Sequence, residues 1–113
     1  MPVPRALTAT SDSGGGAGIQ ADLKAFAVAN GHELLATVSG TGCMSTALTG
    51  CFLAGKPEDA LEAAAEALAA FGVAAEDAAV GAEGPGTFHA RIYDALYGLD
   101  PAALDGRAHI EEL

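Results

Sequence analysis

The residues best suited to chemistry in this sequence lie in positions 38–44, which read Val-Ser-Gly-Thr-Gly-Cys-Met. We expect an extended segment to pass into a helix here, so that the free N–H groups of the first helical turn and the positive end of the helix dipole attract an anion. Gly40 and Gly42 would let a phosphate approach the backbone closely, and the same dipole would favour the thiolate of Cys43. The glycines are also compatible with a simple tight turn, an alternative that the motif alone leaves open.

A second glycine-rich loop, residues 11–18, is the other candidate for a phosphate or substrate site. It lacks the Gly-Lys-Ser/Thr ending of a Walker A loop, so no lysine is placed for the β- and γ-phosphates. Residues 16–21 fit the dinucleotide pattern G-x-G-x-x-A, but the next predicted strand ends in Val38-Ser39 rather than in an acidic residue that would bind a ribose. The sequence therefore argues against a P-loop and against a dinucleotide site.

The remaining ionisable side chains show no spacing typical of a metal site or a catalytic pair. His32, His89 and His109 are spaced so that no two share a helical face, and Cys43 and Cys51 are too far apart to join them. The sequence therefore predicts no metal site. The acidic residues that lie mostly opposite one apolar helical stripe are interpreted as a solvated face: Glu58, Asp59, Glu62, Glu66, Glu76 and Asp77.

The elements that must position these residues follow from the hydrophobic pattern and from the turn residues. In chain order the sequence predicts a strand at 6–9, a loop at 10–18, a helix at 17–29, a buried strand at 34–38, helices at 41–54, 57–79 and 87–98, a turn at 100–101, and a strand or frayed helical turn at 108–110. The two main strands are typical of a buried parallel sheet, which needs more strands than this chain supplies. The predicted fold class is α/β, helix-rich, with few parallel strands and an incomplete sheet, in one partial domain over residues 1–113.

Length and composition limit the kind of protein. A chain of 113 residues with four Phe, two Tyr and no Trp has few large side chains for a core, so we expect help from another subunit. The net charge of −10 opposes binding to nucleic acid or to anionic membranes. No apolar run approaches a membrane span of roughly 20 residues, and we expect a cytoplasmic protein with Cys43 and Cys51 as free thiols.

Whole strings of the sequence resemble two kinase families. Residues 30–44, the alanine-rich helix from Pro57, and residues 84–97 resemble the C-terminal part of hydroxyethylthiazole kinase in order and spacing, over residues 30–113. Residues 6–26 are instead similar to the opening of the hydroxymethylpyrimidine/phosphomethylpyrimidine kinases. Both families have the ribokinase-like fold and act in thiamine biosynthesis, so the resemblance implies an incomplete ribokinase-like fold.

The resemblance implies a phosphoryl-transfer site at the motif described first. Gly40, Thr41 and Gly42 would supply the amides of an anion hole, and Gly40 would also border the substrate alcohol. Cys43 would help to deprotonate that alcohol as it attacks the γ-phosphate of Mg-ATP. Asp22 is the matching substrate contact of the pyrimidine kinases. The implied reactants are ATP with Mg²⁺ and the primary alcohol of 4-methyl-5-(2-hydroxyethyl)thiazole, and the implied assembly is a homo-oligomer, a trimer.

The sequence departs from both families in its middle. Phe26 passes to Asn30 without the central strands, and without the acidic segment and the arginine that bind Mg-ATP. Two alternatives therefore stay open. One is a hydroxymethylpyrimidine or phosphomethylpyrimidine kinase, and the other is a non-catalytic remnant that self-associates or docks on an intact kinase subunit.

Overall fold

A computed structural model describes residues 5–11 and 22–112 of the chain. Its elements, in chain order, are β1 (Arg5–Ser11), β2 (Asp22–Val28), a 3-10 helix (Glu33–Thr37), α1 (Thr41–Gly55), α2 (Ala60–Ala79), α3 (Pro85–Tyr97), α4 (Pro101–Arg107) and β3 (Ile110–Glu112). The described part of the chain is helix-rich, as the sequence predicts.

The sheet is antiparallel, and the prediction of parallel strands is wrong. β2 lies in the middle and pairs antiparallel with β1 on one side and β3 on the other. In the register of the sheet, Val28 is paired with Arg5 of β1 and with Ile110 of β3. An apolar run does not reveal the direction of its neighbour, which depends on where the chain returns to the sheet.

The predicted helix at 17–29 is also wrong where the structure can be compared, because residues 22–28 form strand β2. Residues 17–21 lie outside the described residues, as does most of the predicted loop at 10–18. The apolar residues of this segment fit a helical spacing, but pairing on both sides and burial of Val28 against Ala65 and Ala69 favour the strand. The predicted strand at 6–9 is confirmed within β1.

The predicted strand at 34–38 is a 3-10 helix in the structure. Its first turn is capped by His32, whose Nδ1 accepts a hydrogen bond from the Leu34 N–H at 3.1 Å, and Leu35 is buried beneath it. A short apolar run between polar residues fits a buried helical turn as well as a buried strand, so its spacing could not separate the two.

The three longer helices are confirmed, with ends that differ from the prediction by no more than a few residues. Helix α4 was not predicted, because the pair at 100–101 reads as a turn. In the structure Asp100 caps this helix by accepting from the Ala102 N–H at 3.1 Å, and Pro101 occupies its first position. The strand alternative for the tail agrees with β3, although β3 begins at Ile110.

The core lies around α2, which contacts α1, α3 and the sheet. Phe71, Phe88 and Ile92 are its largest fully buried side chains on α2 and α3. Most other buried positions of α2 are alanines, which let neighbouring elements approach this helix closely. The α2 helix is therefore the scaffold on which the segment carrying the candidate site is held.

The segment between β2 and the 3-10 helix is fixed by one buried side chain, Asn30. Its amide Nδ2 donates to Glu76 Oε2 at 3.1 Å and to the Arg107 carbonyl at 3.0 Å. Its Oδ1 accepts from the His109 N–H at 2.6 Å, while the Gly31 N–H donates to the same Glu76 oxygen at 3.0 Å. These bonds satisfy the buried amide and join three distant parts of the chain.

Candidate anion site at the start of helix α1

The backbone turns sharply just before α1. Val38 is extended, and Gly40, the N-cap residue, has φ 89° and ψ −2° in the left-handed region. A residue with a Cβ adopts this conformation only at a cost, so a glycine suits this position. The helix then begins at Thr41, within the motif from which the sequence predicts a helix start.

The first turn of α1 has no side-chain cap and no acidic residue. The first intrahelical bond runs from the Met44 N–H to the Gly40 carbonyl at 3.0 Å, so the N–H groups of Thr41, Gly42 and Cys43 precede the ladder. By contrast, α2 is capped by Asp59, which accepts from the Glu62 N–H at 3.1 Å. The start of α1 thus keeps its backbone donors and its positive dipole end for an external anion.

The space beside the two glycines of this turn is open. A Cβ built on Gly40 or Gly42 meets no atom within 4 Å. Gly42 and Cys43 are exposed, whereas Thr41 is half-buried with its hydroxyl 3.5 Å from the Leu35 carbonyl oxygen. The backbone of the turn can therefore be approached from the side of the two glycines.

Cys43 stands at the surface because its neighbours anchor the helix. Met44 and Leu48 pack against the core cluster of Leu35 and Phe71, which turns the Cys43 side of α1 to solvent. Cys51, two turns further along α1, is exposed as well, and both cysteines are free thiols as expected. The arrangement places a solvent-accessible thiol within the same helical turn as the N–H groups of the candidate anion site.

A depression of about 340 Å³ shares Thr41 with the anion site. Its other walls come from residues 30–33, Leu35 and Ala36. The His32 ring lies 6.1 Å from the Phe88 ring, centroid to centroid. These wall residues were not predicted to belong to a site, although a polar Asn-Gly-His-Glu run directly before a buried segment is a signal that could have indicated one.

The structure brings together four of the five predicted site residues. Gly40, Thr41, Gly42 and Cys43 are contiguous at the start of α1. Asp22 instead begins β2, opposite Ser11, and the length of that strand, roughly 20 Å, separates it from Val28. The assigned roles of all five residues stay predictions.

Three cations with described side chains are engaged away from the start of α1. Lys56 follows the C-terminal end of α1, and its Nζ donates to Glu62 Oε1 at 3.0 Å and to Glu66 Oε1 at 3.2 Å, which raises the pKa of Lys56 above 10.5. Arg91 donates to carbonyl groups at the end of α2, and Arg107 pairs with Asp77 at 2.8 Å. Attraction of an anion to this site therefore comes from the backbone rather than from these side chains.

Metal and membrane features can be assessed for the same part of the chain. Among residues 5–11 and 22–112, no three His, Cys, Asp or Glu side chains are grouped so that they could hold a metal ion. Within these residues, no helix combines the length and the apolar character that crossing a membrane requires.

The family model described as "HK: Hydroxyethylthiazole kinase family" matches residues 13–102. This chain belongs to the hydroxyethylthiazole kinase family. Its similarity to curated hydroxyethylthiazole kinases is high: 54% identity over 89 residues with the protein of Rubrobacter xylanophilus, covering 77% of this chain and 33% of the relative. The kinase of Pyrococcus furiosus is 51% identical over 88 residues, covering 78% of this chain and 32% of the relative.

A solved structure of a hydroxyethylthiazole kinase protein from Pyrococcus horikoshii shows the same fold. The two structures superpose with a TM-score of 0.73 at 47% identity, over 80% of this chain and 35% of that one. The Pyrococcus horikoshii structure therefore shares most of the architecture described above, and this chain spans about a third of the length of the relatives that it matches.

The match to the hydroxyethylthiazole kinase family begins at residue 13 and so includes much of the segment that resembles the pyrimidine kinases. The comparisons give that second resemblance no support. The thiazole-kinase resemblance of residues 30–113 falls within the matched region as far as residue 102.

Proposed function

We propose that this chain takes part in the ATP-dependent phosphorylation of the primary alcohol of 4-methyl-5-(2-hydroxyethyl)thiazole. The observation that carries the proposal is the uncapped start of α1, where the N–H groups of Thr41, Gly42 and Cys43 lie among glycines with open space beside them and next to an exposed thiol. Membership of the hydroxyethylthiazole kinase family supports this reaction over other uses of an anion site.

In the proposed reaction the backbone donors hold the γ-phosphoryl oxygens, where negative charge must be stabilised as the group is transferred. Cys43 acts as the base that accepts the proton of the alcohol, and Gly40 borders that alcohol. The alcohol oxygen forms a bond to the γ-phosphorus, the bond from that phosphorus to the bridging oxygen breaks, and ADP leaves.

The described residues fit a phosphate of ATP better than they fit the Mg²⁺ ion that accompanies ATP. The start of α1 suits a phosphate, since its donors are free and its glycines leave room. For Mg²⁺ the described residues offer no group of three suitable side chains, so no step is derived through the metal. We propose that the remaining contacts to Mg-ATP come from polypeptide equivalent to the two-thirds of the relatives that this chain does not span.

A direct test supplies ATP and either the thiazole alcohol or the hydroxymethylpyrimidine alcohol, the substrate of the alternative family, to the purified chain alone and to the chain co-purified with the part of the Rubrobacter xylanophilus kinase that it does not span. Turnover is expected where that part supplies the remaining contacts to Mg-ATP. We expect phosphorylated thiazole, lost in Cys43→Ser and kept in Cys51→Ser, which changes an equally exposed thiol on the same helix. Turnover of the pyrimidine alone would favour the alternative kinase and the role of Asp22. No product with either alcohol would contradict activity of the chain by itself and favour the non-catalytic alternative.

The pyrimidine-kinase origin of residues 6–26, a homotrimer and a cytoplasmic location complete the proposal. The trimer is supported by the scarcity of large core side chains and by a sheet of only three described strands. Light scattering on the purified chain measures the mass directly, and a monomer across the concentration range would contradict the trimer.

A further inference from the structure

The His32 ring, which lines the depression beside Thr41, has one nitrogen with an unused proton. Its Nδ1 accepts a hydrogen bond from the Leu34 N–H at 3.1 Å. A ring nitrogen that accepts a bond carries no proton, so the neutral imidazole has its proton on Nε2. Among residues 5–11 and 22–112, no group bonds to this Nε2. The Nε2–H is therefore available to a ligand in the depression.

The other polar groups on this side of the depression offer no comparable donor. Asn30 donates both N–H bonds of its amide to protein oxygens, and the Gly31 N–H donates to Glu76. The exposed carboxylate of Glu33 only accepts hydrogen bonds when it is ionised. Within the polar run 30–33, His32 is therefore the residue that can donate to a ligand.

The rest of the depression limits the size and character of a ligand. Leu35, which is buried, and Ala36 add apolar surface to the walls. The volume of about 340 Å³ lies at the lower end of the range for small-molecule sites. Thr41 belongs both to the depression and to the start of α1. These walls suit a small ring that accepts one hydrogen bond and carries an arm toward the anion site.

We propose that His32 is a specificity-determining residue that donates its Nε2–H to the ring nitrogen of 4-methyl-5-(2-hydroxyethyl)thiazole. The inference rests on the proposed function, because it takes this alcohol as the substrate. The thiazole nitrogen has a lone pair and no proton, so it complements a neutral Nε2–H. The remainder of the ring is largely apolar and suits Leu35 and Ala36. The hydroxyethyl arm then extends past Thr41, and its alcohol meets the γ-phosphoryl group at the start of α1.

The first experiment measures binding without ATP, because every wall residue named above belongs to this chain. Calorimetry compares the thiazole alcohol with its thiophene analogue, in which a C–H group replaces the ring nitrogen. We expect the chain to bind the thiazole about tenfold more tightly, since the analogue leaves the His32 Nε2–H without an acceptor. Equal affinities, or no saturable binding of the thiazole at millimolar concentrations, would overturn the proposal.

A matched pair of variants assigns the preference to His32. Asparagine at position 32 can still accept from the Leu34 N–H as a cap, but it has no group in the place of Nε2. We expect His32→Asn to retain the melting temperature of wild type and to lose the tenfold preference for the thiazole. His109→Asn makes the same exchange at an exposed histidine outside the walls and should keep the preference. A preference that survives in His32→Asn, or is lost equally in His109→Asn, would refute the role of His32.

Nitrogen NMR of the wild-type chain provides a second measurement, which does not depend on the folding of a variant. The chain has three histidines, so His89 and His109 serve as internal references. We expect the Nε2–H signal of His32 to shift when the thiazole alcohol is added and to stay in place with the thiophene analogue. A His32 signal that does not respond to the thiazole would overturn the proposal.

Recognition of the ring and phosphorylation fail separately. A chain that binds the thiazole with the expected preference but forms no phosphorylated product would support the role of His32 and contradict catalysis. Phosphorylation of the thiazole and the thiophene analogue with the same kcat/KM would keep the proposed function and contradict the role of His32.

Discussion

Gly72 lies so close to Asn30 that a Cβ at position 72 would stand 2.5 Å from the Asn30 carbonyl carbon. The contact is between α2 and the segment that leads into the candidate anion site, and the atom that would be struck belongs to the backbone. Neither partner can move away cheaply, because Asn30 is held by Glu76, Arg107 and His109.

Gly72→Ala should therefore destabilise the fold, although alanine is the better helix former. We expect a loss of about 1–3 kcal/mol in the free energy of unfolding, as for overpacking in other cores. Gly50→Ala is the control, since a Cβ at that position of α1 meets nothing within 4 Å. It should gain up to about 1 kcal/mol from helix propensity alone. Urea denaturation measures the free energy of unfolding of both variants. Equal changes would contradict the close approach of Gly72 to Asn30.

Asn30→Ala should destabilise the chain more than the loss of one polar contact would. The substitution removes the oxygen that accepts from the His109 N–H and the Nδ2 group that donates to Glu76 and to the Arg107 carbonyl. We therefore expect a loss of about 2–4 kcal/mol in the free energy of unfolding. Thr46→Ala serves as the control, because its hydroxyl is exposed and bonds only to the Gly42 carbonyl of its own helix. A thermal scan in which both variants showed the same shift in melting temperature would show that the Asn30 hydrogen bonds contribute little to stability.

Gly42→Ala should separate folding from phosphate binding. Its Cβ meets nothing within 4 Å, so we expect this variant, like Gly50→Ala, to be at least as stable as wild type. A methyl group beside the free donors would obstruct a phosphate, however, and we expect a ten- to about hundredfold loss of phosphorylation, the lower range for disturbing a preorganised donor. If Gly42→Ala and Gly50→Ala were equally active, the start of α1 would not be the phosphate site.

Lys56 should contribute to stability in a manner that depends on pH. Because Glu62 and Glu66 raise its pKa in the folded chain above 10.5, the folded state holds this proton more tightly than the unfolded state does. The contribution is therefore fully present below about pH 10.5 and declines as the pH rises through the folded-state pKa. Unfolding of wild type and Lys56→Met should differ at neutral pH and converge in strong base. A constant difference would contradict the linkage.

The sequence predicted best where local and tertiary preferences agree. In α1, glycines at the start, an unbroken run of helix-compatible residues and Gly55 at the end all favour the observed helix, so the helix start within residues 38–44 was predicted correctly. In β2 the local spacing favours a helix, and only pairing with β1 and β3 makes it a strand. No single-sequence pattern contains that pairing, because the partners lie elsewhere in the chain.

The depression beside Thr41 was missed for a related reason. Asn30 and His32 owe their positions to bonds with residues on α2, at the end of α4 and within the 3-10 helix. Their proximity to the start of α1 thus follows from long-range contacts, whereas the donors of the anion site lie within four consecutive residues. The local backbone arrangement at the start of α1 could be predicted, and the assembly of its surroundings could not.

The Asn30 bonds also bear on the order in which the chain acquires its structure. Its amide is joined to Arg107 and His109 across 77 and 79 residues, so closing this loop carries an entropic cost that local helices do not have. During synthesis, the α1 helix can form before these residues leave the ribosome, but the segment that leads into it cannot be fixed. The N–H groups of the anion site therefore exist early, and their final setting waits for residues 107–109.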